Sequence, residues 1–247
     1  ELQYIVLKNL KILLKAHPNF LKDYTRVLFC KYNDPPYIKS EKIDLLVLIA
    51  DSSNAEQILL EFNDYSREVD VDLARLGIRA IGKVALRLPS KLNQCINVLR
   101  SLLTLKRNHI ANEISVVLKQ IFDAFPDYRR LNVVEELAEN PELIDRSDST
   151  EAFIWLLGAL HGKLKIDVLE ALKYYFEGFQ ESEDGVRDQL LSAAVKCYVA
   201  EPTGEGKQLC EAALSAAENF ERSIDLNEQA AFYKRVLNLG ADDAKRI

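Results

Sequence analysis

The chain has 247 residues, 48% apolar and 28% charged, enough to fill a continuous core and too hydrophobic for a disordered chain. Only 9 glycines and 7 prolines argue against the many turns of an all-β fold, and no apolar run reaches bilayer length or reads as a secretion signal. The net charge of −6 conceals an asymmetry: residues 1–130 carry 20 Lys+Arg against 15 Asp+Glu, and residues 131–247 carry 12 against 23. Such a division fits either two differently charged surfaces for different neighbours or ordinary variation in solvated faces.

Taken in chain order, one pattern recurs: a strongly apolar helix that stops at a proline or turn. The first copy contains Leu2, Ile5, Val6 and Leu10 at helical spacing, already reads as mid-helix, and runs to Pro18. With no Met at its start or anywhere else, the chain reads as a piece of something longer. Further copies run from Glu41 to Asp51, from Gly77 to Pro89, from Ile114 to Pro126, from Phe153 to Lys163 and from Leu190 to Pro202. Their ends are therefore 33, 38, 37, 37 and 39 residues apart. Shorter amphipathic helices are predicted between them, at about 20–32, 54–66, 91–104, 128–139, 166–178 and 205–219. Ser53 with Glu56 and Asp148 with Glu151 have capping-box spacing, and Asp34 before Pro35 reads as an N-cap followed by proline. No segment alternates with period two. A repeat of this length, in which neither helix can bury its apolar face alone, predicts an all-α fold. The expected architecture is an α-solenoid of HEAT- or armadillo-like hairpins, about 13 helices in a right-handed superhelical stack. It runs as a single segment over residues 1–247.

A search for chemistry finds no constellation. His17, His109 and His161 are far apart and lack Cys or carboxylate partners at ligand spacing. Cys30, Cys95, Cys197 and Cys210 are scattered on apolar faces and read as buried free thiols of a reducing compartment. Gly77 and Gly82 lie inside a helix with no preceding strand, so close helix packing explains them better than phosphate binding. Glu135, Glu136 and Glu139 read as a solvated face, and Trp155 as core. The residues thus point to a binding scaffold without catalytic, metal or cofactor sites. Arg75, Arg79, Lys83 and Arg87 recur every four residues as a basic stripe that Lys106 and Arg107 could extend. It fits either contact with an acidic protein face or anionic headgroups, or a solvated edge. The acidic total and the lack of interleaved aromatics argue against nucleic acid.

One junction carries residues the repeat does not require: Lys31-Tyr32-Asn33-Asp34-Pro35-Pro36-Tyr37-Ile38-Lys39, then Glu41-Lys42-Ile43-Asp44. This resembles the signature of β-adaptins, large subunits of heterotetrameric clathrin adaptor complexes. The resemblance continues in order through Gln3-Tyr4, Leu7-Lys8-Asn9, Glu68-Val69-Asp70-Val71-Asp72, Arg79-Ala80-Ile81-Gly82, Ile154-Trp155 with Gly158, and Glu177-Gly178-Phe179. It covers essentially the whole chain and implies the C-terminal half of a β-adaptin trunk, without the clathrin-binding hinge or the appendage.

By that resemblance the segment is a scaffold of vesicle-mediated transport that cradles the N-terminal domain of the medium (μ) chain. Its expected partners include the second large adaptin and the small σ chain, with membrane association only peripheral, through the assembled complex. The expected location is cytoplasmic, on coated vesicles, pits or trans-Golgi and endosomal membranes. In the closed complex, Val69 and His109 would cover the μ pocket for tyrosine-based sorting signals. The chain departs from the family at His109, where tyrosine is usual, and at Gly158-Ala159-Leu160, where Gly-Glu-Tyr is typical. A different helical-repeat scaffold, such as a coatomer large subunit or a transport receptor, is the alternative.

Overall fold

A computed structural model describes residues 2–17, 20–128, 131–202 and 204–238. Among them are twelve α-helices, three short 3-10 segments and no strand. The chain falls into two compact units, Glu1–Pro126 and Asp127–Ile247.

In the first unit α1 (Leu2–Ala16), α2 (Pro36–Ile49), α4 (Val71–Arg87) and α6 (Asn108–Ala124) pack in succession as an inner layer. Outside them, α3 (Ala55–Arg67) and α5 (Leu92–Leu103) pack on α4 and on each other. The second unit repeats the scheme: α8 (Ser147–Ala159), α10 (Asp184–Ala200) and α12 (Ile224–Asn238) lie side by side, with α9 (Val168–Phe176) and α11 (Gly204–Glu218) against them. The short α7 (Asn132–Ala138) leads into this unit.

The apolar positions explain the two layers. α3 turns one face inward, burying Ile58, Leu59 and Phe62 while Leu60 stays exposed. α2 and α10 are contacted on several sides and bury most of their length. Small residues set how closely inner helices approach. A Cβ on Gly82 would lie 2.6 Å from Val117 Cγ1, so α4 and α6 meet there nearly backbone to side chain.

Several local expectations are corrected. The helix predicted at about 20–32 is a 3-10 segment, Lys22–Leu28, with Tyr24 at non-helical φ/ψ. Ser53 caps nothing; the turn before α3 closes on Asp51, whose Oδ1 accepts from the N–H groups of Ser53 (2.7 Å) and Asn54 (3.1 Å). Asp148 lies inside α8 and pairs with Arg146 at 2.5 Å. Asp34 precedes the capping position, which Pro35 occupies, and Pro36 is the first helical residue of α2. Side-chain caps among the described residues include Asp70, accepting from the N–H groups of Asp72 and Leu73, Asp167, accepting from those of Leu169 and Glu170, and Ser223, whose Oγ accepts from the Leu226 N–H at 3.3 Å. Trp155 is half-buried and so not fully core. Cys95, Cys197 and Cys210 are buried and free, but Cys30 is only partly covered. Burial pushes the Cys95 thiol up to about 12, which keeps it protonated and inert.

Candidate functional site

The signature residues build a charged junction. Lys42, on α2, has a side chain only 4% exposed, and its Nζ donates to Asp34 Oδ2 at 2.5 Å and to Phe29 O at 3.1 Å. Asp34 Oδ2 also accepts the Lys31 N–H at 2.7 Å, so one carboxylate holds both the loop and the buried ammonium. Burial alone would raise the Asp34 carboxyl, but Lys42 and the Lys31 N–H outweigh it and hold the group below its ordinary value. Next to Lys42 on α2, buried Glu41 accepts from Lys8 of α1 at 2.6 Å. Asp44 accepts from Lys11 of α1 at 2.7 Å and from Lys83 of α4 at 2.9 Å, joining three inner helices. Its carboxyl too is raised by burial and lowered further by these two lysines, ending below the ordinary value.

The other signature side chains lie outward. Tyr32 is 97% exposed, Asn33 and Pro35 are exposed, Lys39 is half-buried, and Tyr37 meets the Tyr4 ring edge-on at 5.6 Å. Cys30 N–H donates to Tyr65 Oη at 2.7 Å, tying the loop before α2 to α3.

The basic stripe is engaged along its length. Arg79 forms a two-point contact with Glu113 of α6, whose side chain is 1% exposed. Lys83 reaches Asp44, Arg87 Nη1 donates to Val47 O at 3.2 Å, and Arg75 lies 3.9 Å from Asp72. Lys83 and Arg87 therefore connect α4 to α2, and Arg79 connects it to α6, while the Arg75–Asp72 pair stays within α4. Sequence reading missed Glu113, yet it stands one repeat, 34 residues, beyond Arg79, and that interval was the available signal.

Val69 and His109 come to the same edge of the first unit. Val69, in the turn between α3 and α4, is 87% exposed. His109 lies in the first turn of α6, and the α5–α6 turn is joined to the α3–α4 turn through Arg107 Nη1, which donates to Arg67 O at 3.5 Å. The register Arg79–Glu113, taken one turn back, sets Arg75 opposite His109. Burial, then the charges of Arg107 and Arg75, lower the His109 pKa and so favour the neutral imidazole. His109 Nε2 is buried and has no hydrogen-bond partner within the described chain.

No group of three or more His, Cys, Asp or Glu residues that could hold a metal exists among the described residues, and no described helix is long and apolar enough to cross a membrane. What the geometry defines is a class: a two-layer helical-repeat scaffold whose inner helices are cross-tied by ion pairs.

The match to known proteins narrows this class. Residues 1–241 match the family model described as Adaptin N terminal region, and the chain belongs to that family. It is 34% identical over 247 residues to "AP-1 complex subunit beta-1" of Mus musculus, covering all of this chain and 26% of that protein. It is also 31% identical over 246 residues to "AP-2 complex subunit beta" of Schizosaccharomyces pombe, covering 99% of this chain and 36% of that protein. A chain of "Homology model of the full-length AP-3 complex in an intermediate open conformation" superposes with a TM-score of 0.76. It covers 95% of this chain and 42% of that one at 15% identity, and so bears on the fold. The all-helical hairpin stack and the resemblance to β-adaptins both stand. The chain spans about a quarter of the length of the AP-1 relatives it matches.

Proposed function

We propose that this segment is a structural subunit region of a vesicle-coat adaptor complex. In that role it holds the N-terminal domain of a medium chain and joins it to the second large subunit and a small chain. The observation that carries the reading is the similarity to β subunits along the whole of this segment, together with an inner layer tied by the Asp44–Lys83 and Arg79–Glu113 pairs. A rigid helical stack of this kind offers a broad surface in which a few buried anchors supply the binding energy. Membrane association would be peripheral and through the assembled complex, and clathrin contact would need a hinge outside this segment. The basic stripe acts in this reading chiefly as interhelix ties, because Arg79, Lys83 and Arg87 each reach a group on a neighbouring helix.

Val69 and His109 form the candidate contact with the cargo-binding domain of the medium chain. Support comes from the exposure of Val69 and the meeting of the two turns. A photo-crosslinking amino acid at position 69 of the complete adaptor complex is expected to label the medium chain in the closed state. In the same complex Val69→Asp should raise affinity for a tyrosine-signal peptide several-fold, because it removes an apolar lid contact. Labelling confined to other subunits, together with unchanged peptide affinity, would remove these residues from the contact.

A further inference from the structure

On the second unit, two cavities share the wall formed by Ile166 and Asp167, in the stretch that leads from α8 into α9. One, of about 530 Å³, is lined by His161, Glu201 and Glu205. Its neighbour, of about 400 Å³, has an apolar floor that includes Pro141 and Tyr174, with Glu139 and Glu170 beside it. His161 is unusual in the chain. Its side chain is only 11% exposed, both ring nitrogens are buried, and neither has a hydrogen-bond partner within the described residues. The nearest counter-charge is Glu201 Oε2, at 3.8 Å from Nε2. Buried polar atoms are nearly always paired, so the His161 ring is a polar group short of hydrogen bonds in the wall of the larger cavity.

We propose that the two cavities form one docking groove for an extended protein segment carrying Lys or Arg side chains. Charge complementarity selects that occupant. Asp167, Glu139, Glu170, Glu201 and Glu205 line the groove, whereas no Lys or Arg does. Lys173, just outside, is occupied by Glu205 at 2.9 Å. The surrounding sequence strengthens the field, since residues 131–247 hold 23 acidic against 12 basic side chains. A cationic head in the larger cavity sets its charge against Glu201 and Glu205. In the smaller cavity, the half-exposed Tyr174 ring offers a stacking surface to the stem or head of the next basic side chain.

The test is fluorescence anisotropy of the full chain with a labelled dodecapeptide of alternating Lys and Ser, against its Glu–Ser counterpart. Saturable binding of the basic peptide alone is expected. The Glu170→Gln/Glu201→Gln pair should weaken it about fivefold. Glu177→Gln/Glu228→Gln, an equal charge change at exposed sites outside both cavities, should alter it less than about twofold. His161→Phe fills the larger cavity and should also weaken binding; if that variant fails to fold, the glutamine pairs decide alone. Equal weakening by both pairs would show diffuse attraction and overturn the groove. So would absence of saturable binding, or equal binding of the acidic peptide.

Discussion

Asp34→Ala is expected to destabilise the first unit by about 3 kcal/mol, because it removes the counter-charge of a buried ammonium. Lys42 would then keep only the Phe29 carbonyl, at 3.1 Å, in a place with almost no solvent. The loop would suffer as well, since the Lys31 N–H loses its acceptor. The cost therefore exceeds that of a surface ion pair, which contributes at most about 1 kcal/mol. Lys42→Met in the Asp34→Ala background should recover much of the loss, since an apolar chain of similar length has no charge to strand.

Chemical denaturation at neutral pH measures both effects, and a pH series adds a signed check. The Asp34 carboxyl lies below its ordinary value when folded, so the folded state binds its proton less readily than the unfolded state. Its contribution is fully present above the ordinary carboxylate range and is lost as pH falls through the depressed folded value. Asp44 behaves in the same direction. The stability difference between the parent chain and Asp34→Asn should therefore shrink on acidification, whereas a constant difference would contradict the pairing.

The second large effect concerns α8 and α10. A Cβ on Gly158 would lie 2.9 Å from Ala193 Cβ and 3.0 Å from Ala193 Cα. Neither atom can swing away, as the end of a long side chain could, so Gly158→Ala must push the helices apart. A loss of about 2–3 kcal/mol is expected for such overpacking, against a gain of up to about 1 kcal/mol from better helix propensity. Ala193→Gly should be destabilising alone, yet recover part of the loss when combined with Gly158→Ala, since it removes the Cβ contact and leaves the one to Cα. A coupling of about 1–2 kcal/mol in the double-mutant cycle would confirm the close approach, and strict additivity would refute it. If the units unfold separately, only the transition of residues 127–247 should move.

The hairpin periodicity was fully legible, because a two-layer helical stack imposes its repeat on the apolar positions of every helix. The pairing of the charges was not. Spacing by four placed Arg75, Arg79, Lys83 and Arg87 on one face, but could not tell that this face meets α2 and α6 rather than water. Partners 34 and 39 residues away become visible only when the repeat interval is applied to acidic positions as well as apolar ones. Capping residues were misplaced for a related reason. Ser53 and Asp148 have the right spacing, but Asp51 and Arg146 sit where the chain turns. The 3-10 segment at Lys22–Leu28 shows tertiary context overriding an amphipathic pattern. Asp34, Lys42 and Asp44 were found as a signature, and the structure supplies the reason: they fasten the inner helices.

Co-expression with the N-terminal domains of cognate medium chains, followed by gel filtration with light scattering, tests the scaffold reading most directly. The account predicts a one-to-one complex that survives dilution on the column. Elution of a folded chain alone, with every cognate medium chain tried, would contradict it.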